Sequence, residues 1–113
     1  MVKSPRRDEI PPGTLYLLIL RTLARLEEMH GYGIADHIQR TSGGVLQVEE
    51  GSLYPALQRM LVKGWVRAEW KQTEHNRQAR FYRLTRAGKR RLAAEVSQFD
   101  RVTGAIWKVI EGT

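Results

Sequence analysis

The residues of this chain best suited to chemistry are the polar members of one stretch, E-G-S-L-Y-P-A-L-Q-R-M-L-V-K-G at 50–64. Ser52, Tyr54, Gln58, Arg59 and Lys63 carry the groups that hydrogen-bond phosphates and base edges, so a helix presenting them could enter a DNA groove. An ordinary amphipathic surface helix with a solvated polar face is the competing reading. The chain's 19 Lys and Arg stand against 12 Asp and Glu, a net charge of +7 with pI about 10.2, which favours a polyanionic partner. Catalytic alternatives find little material. His30, His37 and His75 are the only histidines and cysteine is absent. The first two are seven residues apart with Asp36 between them, unlike the i, i+4 pair of a zinc helix. G-x-S-x-G and phosphate-cradling glycine loops are missing from the sequence, so no catalytic residue, metal or cofactor is expected and the chain is read as a non-enzyme.

These side chains need a helix with one greasy face. Leu53, Leu57, Met60 and Leu61 fall at i, i+4, i+7 and i+8, which anchors one side of 50–64 and leaves the polar set on the other. Gly51 and Ser52 suit the helix start, Pro55 its first turn, and Gly64 its stop. Upstream, Met1 to Gly13 holds Lys3, Arg6, Arg7 and Pro11-Pro12 and reads as a flexible basic arm over 1–12. A helix is predicted from Thr14 to about Met29, with apolar residues on more than one side: Leu15, Leu18, Ile19, Leu26 and Met29 on one, Tyr16, Leu17, Leu20, Leu23 and Ala24 over much of the rest. His30-Gly31-Tyr32-Gly33 signals a turn, a second helix follows from about Gly33 to Thr41, and Val45 to Val48 suits a small edge strand.

After Gly64 the chain alternates. Val66, Ala68 and Trp70 point one way and Arg67, Glu69 and Lys71 the other, the pattern of a half-buried strand. Thr73 to Gln78 is the polar connection of a hairpin, and A-R-F-Y-R-L returns with Tyr82 and Leu84 facing the core. Thr85 then caps one long helix to the end of the sequence. Along it Leu92, Val96, Phe99, Thr103, Ile106 and Ile110 are spaced 4, 3, 4, 3 and 4, the seam of a helix–helix contact. So long a helix outruns a small body, and the first helix also has apolar surface to spare, so a second copy of the chain is the expected partner. No stretch reaches the roughly 18 apolar residues of a membrane span, and the start is too polar for a signal peptide, so a cytoplasmic protein is expected.

Three helices followed by a hairpin with a basic tip is the layout of a winged helix-turn-helix, an α+β fold that is mostly α. The phrases H-G-Y-G-I at 30–34, G-S-L-Y-P-A-L-Q-R-M at 51–60, G-W-V at 64–66 and R-F-Y-R-L-T-R-A-G at 80–88 resemble the PadR-type transcriptional regulators of bacteria. The resemblance implies a winged helix over 13–84 and a dimerisation helix over 85–113, like the compact members of the family with one C-terminal helix. It also implies a homodimer joined through the first and last helices, here Leu17, Leu20, Leu92, Val96, Phe99, Thr103, Ile106 and Ile110. Ser52, Tyr54, Pro55 and Arg59 match the family's recognition helix, with Tyr54 near a phosphate; face geometry adds Gln58 and Lys63. His75, Asn76, Arg77 and Arg80 occupy the wing. Glu49 and Glu50 depart from a DNA-friendly pattern: they suit the helix dipole but repel phosphates. The implied function is a dimeric repressor on an inverted-repeat operator, released by a small molecule. In some compact relatives flat aromatic compounds sit between the C-terminal helices, where Phe99 and Trp107 would line the slot here; dry packing is the alternative. A basic adaptor that binds a protein or an anionic membrane surface is the competing function.

Overall fold

The structure is a computed structural model that describes residues 10, 11 and 13–112, so most of the arm expected over 1–12 lies outside the described residues. Four helices and a three-stranded antiparallel sheet follow one another as α1 (Leu15–Leu26), β1 (Met29–His30), α2 (Gly31–Thr41), α3 (Glu50–Val62), β2 (Val66–Gln72), β3 (Gln78–Leu84) and α4 (Arg86–Glu111). The strand order is β1-β3-β2. This is the α+β, mostly helical, winged-helix architecture expected from the sequence.

The core forms where α1, α2 and α3 meet beneath the base of the hairpin. Ile19, Leu20, Leu23, Ile34, Leu53, Leu57 and Met60 are fully buried there, with Val66, Tyr82, Leu84 and Leu92 closing the edges. Leu53, Leu57 and Met60 are thus the anchoring stripe read from the sequence, and Tyr82 and Leu84 point inward as predicted. Leu20 and Leu92, expected at the subunit contact, are buried within the chain itself. Both are taken up by the chain's own core, because α4 lays its first turns across α1.

Several elements differ from the sequence reading. The first helix ends at Leu26 rather than Met29, since Glu27 takes a left-handed φ of 67° that breaks the helical path. The freed Met29 and His30 then pair with Tyr82 and Phe81 as the third strand. His30 also caps α2, its Nδ1 accepting from the Gly33 N–H at 2.9 Å, so that helix starts at Gly31, two residues early. The expected strand at Val45–Val48 reduces to a single bridge residue, Leu46. In the hairpin, Trp70 is 67% exposed instead of buried. The sheet face that carries Val66 and Leu84 inside runs past the end of the core by the time it reaches the Trp70–Arg80 pair.

The start of α4 is seated on the turn that follows α3. Thr85 N–H donates to Trp65 O at 3.0 Å, its hydroxyl donates to Gly64 O, and the same hydroxyl accepts from the Gly88 N–H at 3.0 Å. Gly88 is needed at this approach: a Cβ there would lie 2.0 Å from Trp65 O. Beyond Leu92 no residue of the helix is fully buried. Val96, Phe99, Val102, Ile106, Trp107, Val109 and Ile110 are all exposed on a helix of 26 residues, about 39 Å long at 1.5 Å per residue.

Candidate nucleic-acid interface

The polar residues singled out in the sequence lie on α3, but not all on one line. The helix begins one residue before Gly51, with Glu49 as an N-cap lacking a side-chain bond and Glu50 in the first turn. Ser52 is therefore not the cap, and Pro55 stands in the second turn rather than the first. There its ring nitrogen offers no donor to the Gly51 carbonyl, and the glycine's lack of a side chain leaves that carbonyl open to solvent on the exposed side. At 100° per residue, burial of Leu53, Ala56, Leu57 and Met60 fixes the inner face. The outward line is then Gly51, Pro55, Gln58 and Val62, all exposed.

Tyr54 forms one flank of α3. Its ring lies on the start of α2, so closely that a Cβ on Gly31 would come within 2.7 Å of the Tyr54 ring and 3.0 Å of its hydroxyl oxygen. Arg59 and Lys63 belong to the opposite flank with Ser52. Arg59 donates through Nε to the Tyr16 hydroxyl on α1, with its guanidinium 5.6 Å from that ring's centre. The Lys63 amine sits 5.3 Å from the centre of the Trp65 ring, and the Arg91 guanidinium of α4 sits 4.9 Å from it. Tyr16 meets Trp65 edge-on at 5.5 Å. This flank of α3 is thereby tied by cation–aromatic contacts to both helices expected at the subunit contact.

The wing is a tight hairpin. Thr73 N–H donates to Arg77 O at 2.6 Å and Asn76 N–H to Thr73 O at 2.9 Å, while Asn76 adopts the left-handed φ of 64° that asparagine tolerates. Gln72 donates to the Asn76 side-chain oxygen, so the amide of Asn76 helps shape the loop. His75 and Arg77 are exposed at the tip, and Arg80 is half-buried at its base. Lys71 anchors the hairpin to the end of α1 through Glu28 at 2.7 Å, with Glu69 at 3.1 Å; these two carboxylates raise its amine above the usual lysine value. Burial likewise pushes the Tyr82 hydroxyl above the ordinary tyrosine value, partly opposed by the nearby Arg80 cation.

Of the remaining expected residues, Val96, Phe99, Ile106 and Ile110 are exposed along α4, with Thr103 and Leu17 half-buried. Phe99 and Trp107 do not share a slot within one chain. Phe99 lines a groove of about 350 Å³ between α1 and α4, with Tyr16, Leu17, Arg91 and Val102, and Trp107 stands two turns beyond it. Sequence reasoning missed Tyr32, Val62 and Trp70, which are 73%, 79% and 67% exposed. Tyr32 was hidden in a turn signal and Trp70 in a regular alternation; the outward position of Val62 was legible from its spacing of four after Gln58. No helix of the described residues is long and apolar enough to cross a membrane, and no group of three His, Asp or Glu among them could hold a metal ion.

Comparison with known proteins gives this geometry its context. Residues 19–94 match the model of the transcriptional regulator PadR-like family. A solved PadR family transcriptional regulator from Eggerthella lenta is 27% identical, with 89% of this chain and 85% of that chain covered and a TM-score of 0.74. One from Clostridium difficile shares the fold at 23% identity and a TM-score of 0.74, covering 87% of this chain and 99% of that one. An uncharacterized protein of Lysinibacillus sphaericus is 28% identical over 94% of this chain and 96% of its own length.

Proposed function

The chain belongs to the PadR-like family of transcriptional regulators, and from that premise we propose that it is a repressor that binds an inverted-repeat operator in duplex DNA as a homodimer. The observation that carries this reading is α3 itself. Its inner face is locked into the core by Leu53, Ala56, Leu57 and Met60, while Gly51, Pro55, Gln58 and Val62 are exposed on the other side. A helix held rigidly by one face and bare on the other can enter a major groove without rearrangement. Gln58, with one amide between two apolar neighbours, suits an adenine edge flanked by thymine methyl groups. Ser52, Arg59 and Lys63 on one flank and Tyr54 on the other serve the phosphates on either side of the groove, with Arg59 exchanging its Tyr16 partner for one of them. His75, Asn76, Arg77 and Arg80 place the wing on the adjoining backbone. Glu49 and Glu50 keep the very start of α3 off the phosphates.

The exposed apolar row of α4 supports the dimer: Val96, Phe99, Ile106 and Ile110 repeat at seam spacing on a helix with no buried residue past Leu92. Two α4 helices brought together would also bring the two α1–α4 grooves close to the axis, where a small aromatic effector in contact with Phe99 would act on DNA binding through Tyr16 and Arg91. Selection of fragments from a random DNA pool by the purified protein tests the reading. It should enrich an inverted repeat with A·T pairs at fixed positions in each half; a pool that stays random at every round would refute it.

A further inference from the structure

Between the Tyr54 flank of α3 and the wing lies a cleft of about 420 Å³, bounded by Tyr32, Tyr54, Trp70, Gln78 and Arg80 with the start of α2 as its floor. Three of these rings are exposed, Tyr32 at 73%, Trp70 at 67% and Tyr54 at 45%. Three aromatic rings left in water on one cleft are an unfavourable arrangement for an isolated chain. The lining is also one-sided in its charge. Tyr hydroxyls, the Trp N–H, the Gln78 amide and the Arg80 guanidinium all donate hydrogen bonds, and no carboxylate lines the cleft. The buried Tyr82 hydroxyl beneath stays protonated, because burial raises it.

We propose that this cleft is a DNA-backbone clamp, in which the strand bordering the major groove passes between α3 and the wing, and that Trp70 and Tyr32 are DNA contacts. The inference rests on α3 entering a major groove, the reading proposed above. Once it does, one sugar–phosphate strand must run along the flank of α3 that faces the wing. The cleft matches that strand in both its parts. Arg80 and the Tyr54 hydroxyl supply charge and donors for a phosphate, while the Trp70 face and the Tyr32 ring cover the apolar edge of the adjacent deoxyribose. Because backbone, not base, is held, the clamp sets affinity and register without sequence preference.

The test uses full-length protein on its selected operator and on unrelated duplex, with phosphate-ethylation interference as the readout and circular dichroism as a check on folding. Trp70→Ala and Tyr32→Ala, both at exposed positions, should leave the spectrum and the preferred sequence unchanged. Each should weaken binding to both DNAs alike, by about fivefold to tenfold, the lower end of what losing an aromatic platform costs a nucleic-acid binder. In Trp70→Phe, which keeps a flat ring, most of the affinity should return. The interference pattern should lose the same one or two phosphates per half-site in Trp70→Ala and in Arg80→Ala, and only Arg80→Ala should lower the salt dependence. Wild-type affinity in both aromatic variants, or an unchanged interference pattern in a weakened Trp70→Ala, would overturn the clamp while leaving DNA binding intact. A wild-type protein that binds no duplex would overturn the regulator reading and the clamp with it.

Discussion

Two glycines of α4 should respond oppositely to the same substitution. At Gly88 an added Cβ would sit 2.0 Å from the Trp65 carbonyl oxygen, a backbone atom that cannot swing aside. Non-bonded carbon and oxygen keep about 3 Å or more, so Gly88→Ala must push the start of α4 outward by roughly 1 Å. That start is held by three hydrogen bonds, from Thr85 N–H to Trp65 O, from the Thr85 hydroxyl to Gly64 O and from Gly88 N–H to the Thr85 hydroxyl. Strain against a packed backbone with weakened hydrogen bonds costs about 2–4 kcal/mol. For a chain of this size, that corresponds to a Tm roughly 8–15 °C lower at fixed protein concentration. Gly104 is also helical and has nothing within 4 Å of the same added atom. Gly104→Ala gains helix propensity and should stabilise by about 0.5–1 kcal/mol. Thermal and urea melts of the two variants beside the wild type give the answer. If Gly88→Ala melted within a degree of wild type, the seating of α4 on the turn after α3 would be wrong.

Ile106→Glu should shift the protein from dimer to monomer in sedimentation at micromolar concentration, and weaken operator binding at least tenfold because one half-site binds poorly alone; a wild type that sediments as a single 13.0 kDa species would remove the basis for this. Gln58→Ala should relax the preference at one base pair per half-site at a cost of about 1–3 kcal/mol, whereas Arg77→Ala should weaken all sequences alike. The reverse outcome would exchange the roles assigned to α3 and the wing. Wild-type binding should fall by about a thousandfold or more between 50 and 200 mM salt if six or more phosphates are neutralised by the two subunits; a flat response would favour the adaptor function.

Much of this architecture was legible because the strongest sequence signals are the ones the core uses. The 53–57–60 spacing and the alternation that starts at Val66 arise from burial, and Thr85 from the need to cap the free N–H groups at the start of α4. What was not legible depends on long-range pairing. Nothing local marks Met29–His30 as a strand; it exists because β3 offers it an edge and Glu27 breaks the helix before it. The β-prone run at 45–48 had the better propensity, yet only Leu46 forms a bridge there. Site residues follow the same division. The helical face of α3 could be read from its period, but the exposure of Trp70 depends on where the core ends, and the tie between Arg59 and Tyr16 joins residues 43 apart in sequence. That Leu20 and Leu92 are buried in the chain's own core was not legible, because periodicity reports that a face is apolar, not which body covers it.

The central claim, two α3 helices related by a two-fold axis and read by one piece of DNA, is tested most directly by the spacing of the half-sites. In the selected operator they should lie about one helical turn apart, roughly 34–36 Å centre to centre. Inserting five base pairs between them turns one half-site by about half a helical turn and should abolish most of the specific affinity, and inserting ten should restore part of it. Equal affinity for the original and the five-base-pair insertion would contradict the symmetric dimer as the DNA-binding unit.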